Sequence, residues 1–475
     1  MNQNIACDIA IIGGGSAGLS LAAGASQLGA DVVLIESGKM GGDCLNYGCV
    51  PSKALIAAAK ACYHMQEAAY FGAQTNALSI DFSKVMAHVQ QVIETIAEHD
   101  SVARFESLGV RVIQAAAQFT DKRTLVAGEH TIQAKRFVVA TGSFPFVPPI
   151  PGLNGVPYLT NETIFNLQVL PKQLLVIGGG PIGCELAQAF AMLGSEVTIL
   201  EAFKILPHDD PDCVQVVRDS LRTLGITIYE SAEVQSVELS QQDKLVAITI
   251  KHDDTLRIIH GSNVLVAAGR RANVGALQLE KAGVVFSEKG ISVDARLRTR
   301  NKKIYAMGDV VGALQFTHIA NYHAGVVLRN ILFRLPAKVG YSAVPWVTYT
   351  SPELAHVGLT AAEACKQKGL SVFESSFMDN DRAQAEHKTK GIIKIITDNR
   401  ARVLGVTIVG AQAGELILPW VMVVREKKTL RSFTDIIVPY PTLGEISKRV
   451  AGDFYKPKLF SKRVRTLVRF LLKLG

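Results

Sequence analysis

Cys44 and Cys49 stand five residues apart in Gly41-Gly42-Asp43-Cys44-Leu45-Asn46-Tyr47-Gly48-Cys49-Val50-Pro51-Ser52-Lys53. Two thiols at that spacing can exchange electrons as a dithiol and a disulfide, or they can help to hold a metal ion. On an unbroken helix they would be separated by about 7.5 Å of rise. A disulfide wants Cα atoms within about 7 Å. The segment must therefore be distorted to join them, and Asn46, Tyr47 and Gly48 suit that distortion. In a reducing compartment such a pair is more often redox-active than structural. A tetrahedral metal site needs more ligands, and no second Cys-x-x-Cys lies nearby. The redox reading is preferred, and no metal site is expected.

Chemistry of this kind needs a donor, and the elements around the cysteines suggest one. Asp8 to Ile12 reads as a buried strand, followed by Gly13-x-Gly15-x-x-Gly18, an Ala/Leu-rich helix and a second strand ending at Glu36. The plan repeats at Leu174–Ile177, Gly178-x-Gly180-x-x-Gly183 and a strand ending at Glu201, an offset of 165 residues. In each copy the first glycine permits the tight turn, the second lets a pyrophosphate approach, and the third allows helix–strand contact. The phosphates would meet free N–H groups at the helix N-terminus, and the acid would accept from ribose hydroxyls. Two β-α-β units imply two doubly wound nucleotide-binding domains. Glu201 would repel a 2′-phosphate, and Lys204 is the only basic residue just beyond it, so NADH is favoured over NADPH. Phe137–Gly142 and Val264–Gly269 form a smaller echo, each a buried run ending in glycine. From about Val344, strand runs mix with helical stretches around Ala361–Gly369 and Ala413–Lys427, which suggests an α+β domain.

Composition bounds the remaining possibilities. With 475 residues and 48% hydrophobic content the chain is neither disordered nor too short for a large core. Seven cysteines are too few for a disulfide scaffold. Ile9 to Ala30 is uncharged over 22 residues but holds six glycines, so it reads as strand, loop and helix instead of a membrane span. No secretory signal is expected, since the first Lys or Arg is Lys39, and a cytoplasmic protein follows. The net charge is +8, yet residues 456–475 carry seven cations and no acid, leaving +1 for the other 455 residues. Nucleic-acid binding loses its support. Phe460, Val464, Leu467, Val468, Leu471, Leu472 and Leu474 would share one helical face, opposite Lys462, Arg465, Arg469 and Lys473. Such a basic amphipathic helix suits a membrane surface, a partner, or packing on its own subunit.

Taken together, these motifs resemble the FAD-dependent pyridine nucleotide–disulfide oxidoreductases over about residues 5–455. Members of that family include dihydrolipoamide dehydrogenase, glutathione reductase and mercuric reductase. Ala140-Thr141-Gly142-Ser143 and Ala268-Gly269-Arg270 resemble its crossover motifs. Tyr305-Ala306-Met307-Gly308-Asp309 resembles the flavin ribityl motif, and Thr317-His318 the flavin-facing helix start. The resemblance implies FAD at Gly13, Gly15, Gly18, Glu36, Gly42, Lys53, Thr141, Gly142, Ser143, Asp309 and His318. It implies NAD at Gly178, Gly180, Gly183, Glu201 and Gly269. Lys53 and Glu185 match a pair at the flavin ring. Electrons would pass from NADH through flavin to a Cys44–Cys49 disulfide, with Cys49 flavin-proximal and Cys44 the interchange thiol. The other cysteines are expected to be packing residues.

The departure lies in Val438-Pro439-Tyr440-Pro441-Thr442-Leu443-Gly444-Glu445. Disulfide-reducing members carry a His where Tyr440 stands, while Glu445 is retained. A tyrosine with an ordinary pKa near 10 is a poor base at neutral pH. Mercuric reductases carry Pro-Tyr at this place, but their C-terminal cysteine pair is missing, since no Cys follows Cys365. Asn380-Asp381-Arg382-Ala383 and Gly391-Ile392-Ile393-Lys394 fit the same branch without an evident chemical role.

The expected fold class is α/β, with an FAD-binding domain over 1–150 and 272–342 and an NAD-binding domain over 151–271. An α+β dimerisation domain over 343–455 and a basic segment over 456–475 complete it. The expected function is transfer from NADH to a thiol/disulfide or metal-ion acceptor, mercuric reductase-like, by a homodimer. Tyr440 and Glu445 of one subunit would complete the site at Cys44 of the other. The alternatives are a dihydrolipoamide dehydrogenase, a membrane-linked NADH:acceptor reductase at the inner face of the membrane, and a non-catalytic flavoprotein or redox sensor.

Overall fold

The computed structural model describes residues 3–73, 79–240, 244–312 and 314–474. It divides into two compact units, one of residues 1–202 and 227–339, the other of residues 203–226 and 340–475.

The first unit holds both glycine motifs. Its larger sheet runs Val110–Gln114, Val32–Glu36, Gln3–Ile12, His130–Val139, Thr124–Ala127, Ala117–Phe119, with Ile304–Ala306 also paired to His130–Val139. The pairings around Gln3–Ile12 are parallel. Its second sheet is wholly parallel, in the order Thr227–Tyr229, Glu196–Leu200, Gln173–Ile177, Asn263–Val266, Tyr158–Leu159. Strands such as Val32–Glu36 and Asn263–Val266 are near-continuous apolar runs because both faces of these sheets are covered. Ile9–Ala30 is the expected strand, loop and helix, with the helix at Ser16–Gln27.

The internal repeat extends to backbone contacts. Gly13 and Gly178 have φ of +111° and +114°, in the left-handed region. A Cβ on either would lie 2.3 or 2.4 Å from a carbonyl oxygen of the crossing strand, Ala140 or Ala267. Only glycine fits such an approach. The two crossover segments also pair with each other, Ser143–Pro145 antiparallel to Arg270–Ala272. A three-stranded antiparallel sheet, Glu233–Leu239, Val246–His252 and Thr255–Gly261, completes this unit and goes beyond the two doubly wound domains expected from the glycine motifs.

The second unit is built on a five-stranded antiparallel sheet, in the order Pro345–Thr348, Glu353–Gly358, Val403–Gly410, Ile392–Asp398, Leu370–Ser376. Its core stacks Trp420 on Phe433 at 3.9 Å, beneath helix Glu445–Leu459. Leu370–Ser376 is a strand that its weakly apolar pattern does not announce. The helix expected over Ala361–Gly369 is confined to Ala361–Ala364 behind a Thr360/Glu363 capping box. Helix Pro211–Thr223 belongs to this unit. Lys394, from the unexplained Gly-Ile-Ile-Lys motif, ties the start of that helix down through Asp210 at 3.0 Å and through Asp212. That is a structural role for the motif.

The basic segment is not one continuous helix. Glu445–Leu459 ends at Phe460, and Ser461 caps a new helix, Lys462–Leu471. Phe460, Leu472, Lys473 and Leu474 therefore fall outside the amphipathic helix. None of its residues is buried. No described helix is long and apolar enough to cross a membrane.

Candidate active site

The cysteine stretch breaks where distortion was required. Cys44 sits in a short helix, Gly42–Asn46; Tyr47 and Gly48 leave helical geometry; Cys49 is the first residue of helix Cys49–Glu67. Both cysteines are free thiols in this structure, Cys49 exposed and Cys44 half-buried. The loop lies against the first glycine motif, with Gly41 N–H donating to the Gly14 carbonyl at 2.9 Å. A Cβ on Gly42 would stand 2.7 Å from the Gly15 Cα, so glycine is needed for this approach.

Three groups act on the Cys49 sulfur. Cys44 exerts the largest lowering influence on the Cys49 thiol. Thr317 Oγ1, at the start of helix Thr317–Ile331, lies 3.5 Å from Cys49 Sγ. Lys53, one helical turn past Cys49, adds a positive charge and pairs with Glu185 at 2.7 Å. Cys44, then Thr317 and Lys53, bring the Cys49 thiol down to about 6, against partial desolvation and the Asp43 carboxylate. Cys44 goes the other way, raised by Cys49 and by burial. The reduced pair therefore keeps its negative charge on Cys49 and its proton on Cys44. In the reduced protein, the iodoacetamide reaction rate at Cys49 should rise with pH through about 6 and level off above it. Below that midpoint the thiol is protonated and inert. A midpoint near the ordinary 9.0 would remove the thiolate from Cys49.

The segment carrying Cys44 is clamped from distant parts of the unit. Asp43 Oδ1 accepts from Asn161 Nδ2 at 3.1 Å and pairs with Arg270 at 3.0 Å. Asn161 Nδ2 also donates to the Tyr47 carbonyl at 3.1 Å, holding the break itself. Arg270 continues to Ser143 Oγ at 2.8 Å, and Ser143 donates to Asp309 Oδ2 at 2.7 Å. Burial raises the pKa of Asp309, partly opposed by the Ser143 hydrogen bond and by Arg270. Asp43 and Arg270 stand in recognisable motifs, and their opposite charges were a usable signal. Asn161 had none. Thr317 meets Cys49, while His318, the residue expected at the flavin, stacks on Phe316 at 5.1 Å.

The glycine motifs have the shape that a dinucleotide needs. Glu36 accepts from Gly14 N at 2.5 Å and from Gly38 N at 2.6 Å. Glu201 accepts from Gly179 N at 2.6 Å. Each acid thus sits at its own glycine loop, where a ribose would lie beside a pyrophosphate. A Cβ on Gly180 would meet nothing within 4 Å, and one on Gly15 only Gly42, at 3.7 Å. Both loops therefore present open, glycine-lined space in front of a helix N-terminus, and the residues fit the groups. Thr141 Oγ1 is tied to the Asn273 carbonyl at 2.8 Å, next to Gly142. A Cβ on Gly18 or Gly183 would lie 1.8 or 2.0 Å from the carbonyl oxygen of Gly13 or Gly178, and Gly269 has a φ of +121°.

Tyr440 and Glu445 belong to the second unit. Tyr440 is 70% exposed and donates to Asp381 Oδ2 at 3.0 Å. That hydrogen bond, with the charges of Asp381 and Glu445, raises its pKa further. Glu445 accepts from Thr442 N at 3.3 Å. Among the described residues, no group of three or more His, Cys, Asp or Glu could hold a metal ion.

Comparison with known proteins gives a consistent result. Residues 7–324 match the family model for pyridine nucleotide-disulphide oxidoreductase, and residues 344–451 match its dimerisation domain. Mercuric reductase from Lysinibacillus sphaericus is 35% identical over 455 residues, covering 94% of this chain and 83% of that protein. Dihydrolipoyl dehydrogenase from Bacillus subtilis (strain 168) is 33% identical over 446 residues, covering 92% and 96%. Among solved structures, a Cu(II) complex of the HOCl-induced flavoprotein disulfide reductase RclA from Escherichia coli superposes with a TM-score of 0.85. It is 29% identical and covers 94% of this chain and 99% of that one.

Proposed function

The chain belongs to the pyridine nucleotide–disulphide oxidoreductase family, and from that premise we propose an NADH-dependent, homodimeric reductase of soft metal ions that uses Cys44 and Cys49. It is a flavoprotein disulfide oxidoreductase of mercuric reductase-like type, FAD-binding and NAD(P)-using. Bound FAD supplies the passage of an electron pair between nicotinamide and dithiol. Gly13, Gly15, Gly18 and Gly42 would admit its pyrophosphate, Glu36 its ribose, and Ser143 and Asp309 its polar chain. Lys53, held by Glu185, supplies the positive charge beside Cys49. Gly178, Gly180 and Gly183 serve NADH likewise, with Glu201 disfavouring a 2′-phosphate.

The observation that carries the choice of acceptor is Tyr440, which stands where disulfide-reducing members carry an acid–base His and donates to Asp381 Oδ2 at 3.0 Å. Cys44 keeps its proton, and only a thiolate attacks a disulfide. A disulfide acceptor therefore needs a base at Cys44, and Tyr440, which the proposed homodimer places at the acceptor from the other subunit, is a poor one with its raised pKa. A soft cation needs no base, because coordination itself deprotonates a thiol. In the net step a mercuric ion gains two electrons, Cys44 and Cys49 become a disulfide, and the remaining thiol proton goes to solvent. Exposed Ile437, Leu418 and Met422 in the second unit, together with the dimerisation match, support a homodimer.

The test is a steady-state panel with NADH and NADPH against dihydrolipoamide, glutathione disulfide, Hg(II), Cu(II) and quinones. We expect Hg(II) or Cu(II) turnover at least about tenfold above the disulfide-linked reactions, from the missing acid–base group, and a preference for NADH. Strong dihydrolipoamide turnover would overturn this reading in favour of a dihydrolipoamide dehydrogenase.

A peripheral membrane contact at the inner face is the reading of helix Lys462–Leu471. Its apolar residues Leu467, Val468 and Leu471 are uncovered in the chain, and Arg465 and Arg469 stand on the opposite side. That pairing of an apolar stripe with cations suits an anionic lipid surface. The full chain should co-sediment with phosphatidylglycerol-containing vesicles, and a chain ending at Asp453 should not. Equal pelleting of the two sinks the membrane contact.

A further inference from the structure

The motif Asn380-Asp381-Arg382-Ala383, whose chemical role the sequence left open, packs against the loop that carries Tyr440. Asn380 is buried and caps helix Asp381–Ala385, its Oδ1 accepting from Ala383 N at 3.0 Å. Its Nδ2 reaches across to the Thr442 carbonyl at 3.0 Å. One residue on, Asp381 Oδ2 accepts the Tyr440 hydroxyl proton at 3.0 Å. Thr442 closes the loop on itself, its Oγ1 donating to the Pro439 carbonyl at 2.9 Å and its N–H to Glu445. Phe377 and Ala383, both fully buried, seat the motif in the core of the unit. The loop is thus gripped at its middle by Asn380 and at its tip by Asp381, from one rigid support.

We infer that Asp381 is the positioning residue for Tyr440 and that their hydrogen bond selects a cationic acceptor. A tyrosine hydroxyl has one proton to donate. Asp381 takes it, and Asn380 keeps the loop where that bond can form. What Tyr440 has left to offer is oxygen lone pairs. These suit a metal ion, whereas a disulfide acceptor needs a proton for its leaving sulfur. Arg382 has its own partner in Glu386, within the same helix, and takes no part. The inference rests on the proposed placement of Tyr440 at the acceptor and goes further by naming what orients it.

The test is a double-mutant cycle on the full-length flavin-loaded enzyme: wild type, Asp381→Ala, Tyr440→Phe and the double variant, with Asp381→Asn as the conservative control. The readouts are kcat/KM for Hg(II) and the rate at which NADH reduces the enzyme when no acceptor is present. Asp381→Ala should lower kcat/KM by roughly three- to tenfold, the kinetic size of one hydrogen bond. It should leave NADH-driven reduction unchanged. Asp381→Asn, whose amide oxygen can still accept, should retain most of the activity. In the Tyr440→Phe background the further loss from Asp381→Ala should vanish. An intact Asp381→Ala enzyme beside an impaired Tyr440→Phe enzyme overturns the inference while leaving the proposed function standing, and so do fully additive losses. A Tyr440→Phe enzyme unimpaired with Hg(II) overturns the placement of Tyr440 at the acceptor, and this inference with it.

Discussion

Cys49→Ser should abolish turnover with every acceptor, by about 10³-fold or more, because it removes a covalent participant from the path. The substitution is nearly isosteric, and Cys49 is exposed in the chain, so the fold should be unaffected. Its signature goes beyond lost activity. The long-wavelength absorbance of a thiolate beside the flavin, expected on NADH titration of the wild type, should be missing. Cys44→Ser should lose turnover to a similar extent and yet keep that absorbance, since Cys49 keeps Thr317 and Lys53 beside it. The difference follows from which sulfur bears the charge: Cys49 is the pair's stabilised thiolate and Cys44 its proton carrier. If Cys44→Ser loses the band and Cys49→Ser keeps it, the two roles are reversed. If the wild type shows no flavin reduction by NADH, the enzyme reading fails outright.

Lys53→Met should slow NADH-driven turnover by roughly 10²-fold, the scale expected when a positioned group near the reacting centre is lost. Two effects combine. Cys49 loses a cation that holds its thiol down, so its alkylation midpoint should move upward from about 6. Glu185, almost wholly buried, loses the lysine that neutralises it at 2.7 Å. A charge left in a low-dielectric site is costly, although the partly exposed Lys53 means that water already screens some of the attraction. Glu185→Gln should be milder, because the amide oxygen can still accept from Lys53 and the cation beside Cys49 remains. The check is stopped-flow reduction of each variant together with its alkylation profile. An unchanged Cys49 midpoint in Lys53→Met would show that the lysine does not tune the thiolate.

Some of this was legible because the constraint was local. Gly13 and Gly178 are glycine because each must take a positive φ and lie against a neighbouring carbonyl, and such demands are met within a few residues. The repeat at 165 residues therefore survives as a spacing, and the parallel sheets survive as apolar runs. The break at Tyr47-Gly48 could be anticipated from the five-residue separation of the cysteines. The basic segment was legible only in part. Its two faces follow from composition, but Ser461 caps a fresh helix and divides the stripe.

What tertiary structure decided was partnership. The clamp on Asp43 comes from Asn161 and Arg270, both far away along the chain. Thr317 reaches Cys49 across 268 residues, and Asp381 meets Tyr440 across 59. None of these residues carries a local mark of its partner, because a side-chain hydrogen bond depends on which strands and helices become neighbours. Strand order is a property of the whole fold and of the apolar surface it buries. The sequence by itself determined the backbone shapes that bind phosphates and bend the cysteine loop. Only the packed chain decided which side chains tune the thiolate and which one holds Tyr440.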